Sequence, residues 1–209
     1  MNKSLSAREA AARQQVGLDA LYRYPQSAVL HDATPAEKHG PRLLQDALSI
    51  AARQSGQEVK LISGTERFSY AEIELYSDRL ASRLIAHDVR AGDRVILGIP
   101  NSGEFMIGCF AVWKARALVV ALDHGMLSTN LKHILKTTEP AALISSNTFA
   151  ERLQEMPEVL RSFRAFFVKD STKTSVDAQI AVESLQTIMA SKTQTEALRV
   201  MHNQMSSLR

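Results

Sequence analysis

The sequence predicts an α/β fold, layered βαβ units with a parallel sheet, and three observations carry that prediction. Residues 94–99 and 117–122 are apolar runs of strand length separated by a stretch of helical length, which is the spacing of one βαβ unit. The first run is apolar almost without alternation, as a strand buried on both faces is, and the second is apolar and rich in β-branched residues. The pattern then repeats: Leu131, Ile134 and Leu135 mark a helix, residues 141–145 a strand, 149–153 a short helix and 164–168 another strand.

Before that repeat, residues 1–40 mix alanine, charge and turn formers and end in a stretch holding Pro35, Gly40 and Pro41, which reads as a flexible N-terminal arm. The partial α/β domain is placed at residues 41–168. Its first helix follows from the spacing of Leu44, Leu48, Ala51 and Ala52 and stops near Gly56. Residues 59–63 and 67–69 flank Gly64 and read as a hairpin. Ser69 and Glu72 then stand at capping-box spacing, so a helix starts there, with Ile73, Tyr76, Leu80 and Leu84 on its apolar face. Residues 91–93 form the turn into the strand at 94–99. The break at residues 100–104 opens the next helix, with Asn101 and Glu104 at cap spacing.

Residues 169–209 are expected to differ in character. Residues 170–175 read as a polar loop, and Ala178, Ala181, Val182, Leu185, Ile188 and Met189 as the apolar stripe of a helix. From Ser191 onward no strand is expected.

Composition narrows the function classes. The chain has 209 residues, 45% hydrophobic and 22% charged, enough for one substantial core. Its longest apolar stretch, residues 107–122, is interrupted by Lys114 and Arg116 and falls short of the roughly 20 residues a membrane span needs, so no span is expected. The N-terminal segment lacks the apolar core of a secretory signal, so a cytoplasmic location is expected. The single Cys109, beside Phe110, Val112 and Trp113, reads as a buried structural residue, and Phe110 and Trp113 as core. The net charge of +3 comes from 25 basic residues scattered among 22 acids. Arg161, Arg164, Lys169 and Lys173 lack interleaved aromatics and read as a solvated face, so no nucleic-acid partner is expected.

From Phe68 to Leu153 the order of blocks resembles the N-terminal region of the adenylate-forming (AMP-binding) superfamily, which includes acyl-CoA synthetases, luciferases and peptide-synthetase adenylation domains. The resemblance is carried by residues 68–73, the helix with Ser77, Leu80, Ala81 and Leu84, the turn at residues 89–95, and the blocks at 100–105, 113–123, 131–135 and 141–144. It covers roughly half the chain. Arg116 stands where the family usually has glycine and Ala121 where it usually has proline, and a bulky charged side chain is unexpected at a close-packed turn.

The resemblance implies the incomplete N-terminal subdomain of a ligase that joins a carboxylic acid to AMP and then to a thiol, with ATP and Mg as cofactors. That chemistry needs a glycine-, serine- and threonine-rich loop ending in lysine to cradle phosphates. Gly125 is the last glycine of the chain, so no such loop follows it. No catalytic, cofactor-binding or metal residue is therefore assigned, and the chain alone is expected to be inactive and to bind no cofactor. A surface left open by the missing remainder implies a partner chain or self-association. The alternative is a non-catalytic binding or protein-interaction module that reuses the fold.

One position stands out. Asp123, His124 and Gly125 lie just past a predicted strand end, where open α/β sheets place ligands, although a strand-terminating turn with a solvated Asp and His is the favoured reading. His133 reads as a packed residue on an apolar helix face. Ser63–Thr65 and Ser102–Glu104 lack phosphate-loop spacing and read as turns.

Overall fold

In the computed structural model the described residues are 43–123, 125–169 and 180–191. Contacts divide the chain into units Met1–Pro41 and Arg42–Arg209, and the description concerns the second. Helix α1 (Leu44–Ser55) leads into the hairpin β1 (Val59–Ser63) and β2 (Glu66–Ser69), which pair antiparallel. Helix α2 (Tyr70–Ala86) follows directly. At its start the Glu72 side chain accepts from the Ser69 N–H at 2.8 Å, and Ser69 Oγ accepts from the Glu72 N–H at 3.3 Å, so the expected capping box is formed.

The main sheet holds β3 (Arg94–Gly98), β4 (Leu118–Ala121), β5 (Ala142–Ser145), β6 (Ala165–Val168) and β7 (Ala181–Ser184). Its order is β4-β3-β5-β6-β7, and all four pairings are parallel. Helix α3 (Gly103–Lys114) joins β3 to β4, α4 (Ser128–Thr138) joins β4 to β5, and α5 (Asn147–Gln154) with a 3-10 turn at Pro157–Ser162 joins β5 to β6. Helix α6 (Leu185–Ala190) follows β7.

The two sheet faces carry separate cores, because alternate residues of each strand point to opposite sides. Val95, Leu97, Ala142, Ile144 and Phe167 pack with α2 and α3, while Ile96, Leu143, Phe166 and Val168 pack with α4 and α5. Strands β5 and β6 are buried throughout, as their unbroken apolar composition predicts. Phe110 and Trp113 are half-buried and meet edge-to-face at 5.4 Å against the first core.

Several expectations are corrected. The stripe from Ala178 to Met189 is not one helix: residues 181–184 pair with β6, and only residues 185–190 are helical. A four-residue strand running straight into a helix that Ser184 caps leaves the spacing of apolar residues helix-like throughout, and the pairing with β6 overrides it. The sheet therefore has one strand more than the sequence suggested. The cap of α3 is Ser102, whose Oγ accepts from the Phe105 N–H at 3.2 Å, rather than Asn101. His133 is exposed, because it lies two residues, or about 200° of helix, from each of the buried Leu131 and Leu135. Of the basic residues read as a solvated face, Arg164 pairs with Asp93 at 2.7 Å and Lys169 with Glu104 at 3.1 Å. Lys173 and the polar loop at 170–175 lie outside the described residues.

Arg116 has φ +61°, and its side chain is exposed. What the turn before β4 demands is a left-handed backbone, which costs a non-glycine residue roughly 1 kcal/mol, and not a small side chain. This removes the steric objection to arginine.

Two polar clusters tie the helices down. Lys114, only 7% exposed, places its Nζ 2.8 Å from Glu74 Oε2, 2.6 Å from Asp78 Oδ1 and 2.9 Å from Ser77 Oγ, and Ser49 of α1 donates to Glu74. The ammonium links α3 to α2, and the Ser49 bond to Glu74 ties α1 to the same cluster. At the other end, Glu183 of β7 accepts from Arg83 and from His87 Nε2, while Arg79 donates to the Met189 carbonyl of α6. Burial acts to raise the Glu183 pKa, but the Arg83 and His87 hydrogen bonds outweigh it and the carboxyl ends below its ordinary value.

Lys114→Ala leaves two carboxylates without their cation. Removing one member of a buried pair costs about 3 to 5 kcal/mol. Because Glu74 and Asp78 keep 22% and 31% exposure, about 2 kcal/mol is expected here, read from urea unfolding midpoints. Glu183, with its pKa depressed on folding, contributes stability above the unfolded carboxylate pKa that is lost as pH falls through the lower folded value. Urea unfolding followed against pH should therefore fall off in acid less steeply for Glu183→Gln than for the unmodified chain.

Candidate functional site

The order β4-β3-β5-β6-β7 makes the chain leave β3 toward one edge and later leave β5 toward the other, so the topological switch point lies between β3 and β5. In open α/β sheets the crevice beyond the carboxyl ends of the strands is where ligands bind. Here that end is formed by the turns after Gly98, Ala121, Ser145 and Val168. Gly98 is required at the end of β3, since a Cβ there would lie 2.4 Å from the Phe149 ring of α5.

A cleft of about 370 Å³ opens over the ends of β3 and β4, lined by Ile99, Pro100, Asn101, Phe105, Ala121 and Asp123. Asp123 is thus where the sequence placed it, beyond the end of β4. It is exposed, and its Oδ1 accepts from the Gly125 N–H, so it closes a turn on its own backbone. His124 lies outside the described residues. A second cavity, of about 360 Å³, is lined by Phe68, Tyr76, Glu104, Lys169, Leu185 and Met189. Two of its polar groups pair with each other: Lys169, just past β6, meets Glu104 in the first turn of α3. Burial acts to raise the Glu104 pKa, but backbone and Lys169 hydrogen bonds hold it below its usual value. Sequence reasoning missed this pair, since nothing short of the strand order shows that residues 65 positions apart meet.

Lys169, just past β6, pairs with Glu104 at 3.1 Å, and among the described residues no group of three His, Cys, Asp or Glu could hold a metal ion. No glycine follows Gly125. Cys109 is buried, and burial pushes its thiol up to about 11, so it is protonated at neutral pH and is no nucleophile. Among the described residues no helix is long and apolar enough to cross a membrane.

A family model described as AMP-binding enzyme matches residues 48–203. Triostin synthetase I of Streptomyces triostinicus is 30% identical over 123 residues, which are 56% of this chain and 23% of that protein. A medium/long-chain-fatty-acid–CoA/3-oxocholest-4-en-26-oate–CoA ligase of Mycobacterium marinum is 32% identical over 95 residues, 46% of this chain and 17% of the relative. Among solved structures, apo MbtA of Mycobacterium smegmatis superposes with a TM-score of 0.62 at 22% identity, over 91% of this chain and 31% of that one. Coronafacic acid ligase of Pectobacterium brasiliense gives 0.63 at 17% identity, over 70% and 29%. The chain spans less than a quarter of these curated relatives and about a third of these solved chains. The parallel sheet and the match over most of the sequence agree: the chain belongs to the AMP-binding family of adenylate-forming enzymes, of which it represents an N-terminal portion.

Proposed function

We propose that the chain is the scaffold part of an ATP-dependent ligase that converts a carboxylic acid to an acyl or aminoacyl adenylate and then to a thioester, and that alone it does not catalyse adenylation. One observation carries this reading: the family match runs over residues 48–203, yet no glycine follows Gly125 and Lys169, just past β6, is already paired. Transition-state charge on the leaving pyrophosphate needs preorganised N–H groups and cations. In this reading, ATP and magnesium are held by residues other than those of this sequence, and the parallel sheet supplies the rigid floor against which they are placed. A second reading, a non-catalytic interaction module, is favoured by the apolar strand β4, which stands at the edge of the sheet among the described residues.

Carboxylate-dependent ATP–pyrophosphate exchange by the purified chain, across fatty, aryl and amino acids, tests the first reading. No exchange and no ATP binding by calorimetry are expected. Exchange above the no-acid control would sink the claim of inactivity. The scaffold role has its own arm: a chimera carrying residues 43–191 in place of the matching region of the Mycobacterium smegmatis protein should keep exchange, whereas a folded but inactive chimera would favour the interaction module.

A further inference from the structure

The second cavity, of about 360 Å³, is within the size range of small-ligand pockets, and the ligase reading makes no use of it. Lys169 follows β6 directly and Leu185 follows β7, so the cavity stands at the carboxyl ends of two parallel strands, where open α/β sheets place ligands. One corner is built by close packing. A Cβ on Gly103 would lie 2.1 Å from the Phe68 ring, so only glycine lets that ring rest on the first turn of α3, next to Glu104 in the chain. An aromatic wall and a carboxylate thereby become neighbours. Leu185 and Met189 of α6 supply more of the wall, and Arg79 holds that helix through the Met189 carbonyl. A wall fixed in advance spares a ligand the cost of ordering it.

The charges of the lining do not cancel. Among the described lining residues two carboxylates, Glu66 and Glu104, stand against one ammonium, Lys169, which leaves an excess of one negative charge. The Glu104 side chain is 14% exposed. Burial acts to raise its pKa, but hydrogen bonds outweigh it, so the carboxylate is ionised at neutral pH. Lys169 is 55% exposed, and an ion pair with one member in solvent contributes little. Its flexible stem can therefore carry the ammonium into water at small cost. A ligand cation then takes its place on Glu104, whereas a ligand anion on Lys169 would stand beside two carboxylates. Aromatic lining suits the same sign of charge, because ring faces attract cations and repel anions.

We propose that this cavity binds a small amphipathic cation, a primary arylalkylamine whose ammonium bonds the Glu104 carboxylate and whose apolar body rests against Phe68, Leu185 and Met189. The charge excess selects the head group and the apolar wall selects the body. A neutral molecule of the same shape gains the apolar contacts but forms no ion pair. The site shares no lining residue with the cleft over β3 and β4 and does not depend on the ligase reading.

Titration of the full chain, isotopically labelled at its methionine methyls, with phenethylamine tests the site by nuclear magnetic resonance. Phenylacetate and phenethyl alcohol are the anionic and neutral controls, and circular dichroism confirms that each variant is folded. The Met189 signal, identified by its loss in Met189→Leu, should shift to saturation with the amine. Each control should bind at least about tenfold more weakly, since the charge-assisted bond to Glu104 is lost. Glu104→Gln should weaken the amine by a similar factor. Lys169→Gln, at an exposed position, should instead tighten it, because the competing ammonium is gone. A Met189 signal unmoved by millimolar amine overturns the proposal. So does phenylacetate binding better than the amine, amine binding indifferent to Glu104→Gln, or weaker amine binding in Lys169→Gln. Should Glu104→Gln not fold, the order of the three ligands and the sign of the Lys169→Gln effect still decide.

Discussion

A parallel sheet must be covered on both faces, and most of this structure follows from that constraint. Each parallel neighbour requires a crossover, and a helix is the element that can both cross and cover. Placing α3 on one face and α4 and α5 on the other satisfies the two cores built on Val95, Leu97 and Ile144 and on Ile96, Leu143 and Phe166. The reversal of direction between the β3 and β5 connections is the same event seen from above, and it opens the crevice at the strand ends. Core and site are therefore not separate designs.

Apolar burial does not by itself hold helices at defined positions, and the polar links do that. Lys114 engages Glu74, Ser77 and Asp78 while Ser49 holds Glu74, which locates α1, α2 and α3 relative to one another. Glu183 and the Met189 carbonyl perform the same task for the last strand and helix through Arg83, His87 and Arg79. A buried ion pair adds little net stability compared with apolar packing but penalises every arrangement in which it is broken. The chain uses such contacts where a short element, four residues of strand and six of helix, has little apolar area to hold it.

In the proposed reading the crevice is a scaffold feature more than a catalytic one. Asp123 at the crevice accepts from the Gly125 N–H, and Lys169 beside the second cavity pairs with Glu104. The departures from the family pattern acquire a physical meaning here. Arg116 occupies a left-handed turn with its side chain in solvent, and Ala121 leaves an edge donor in place, so both changes alter the β4 margin and leave the core untouched. Relatives as different in their named activities as a peptide synthetase and a fatty-acid ligase share this portion, consistent with a part that positions chemistry performed elsewhere.

Much of the fold was legible because local patterns and tertiary requirements coincide. The unbroken apolar runs at β3, β5 and β6, the capping box at Ser69 and the turn at Gly64 each state their own structure. Where one stripe served two elements, as at residues 181–190, periodicity misled, since only the neighbouring strand β6 decides that 181–184 are extended. The candidate position Asp123 was visible as the residue after a strand, but what surrounds it was not. By itself the sequence determined most of the element types, the parallel class of the sheet, the family and the lack of a glycine-rich loop after Gly125, because these depend on residues close in the chain. Only the tertiary structure decided the strand order, the switch point, the Lys114 and Glu183 clusters and the place of β4 at the edge of the sheet. Those depend on contacts between residues tens of positions apart, which no local spacing encodes.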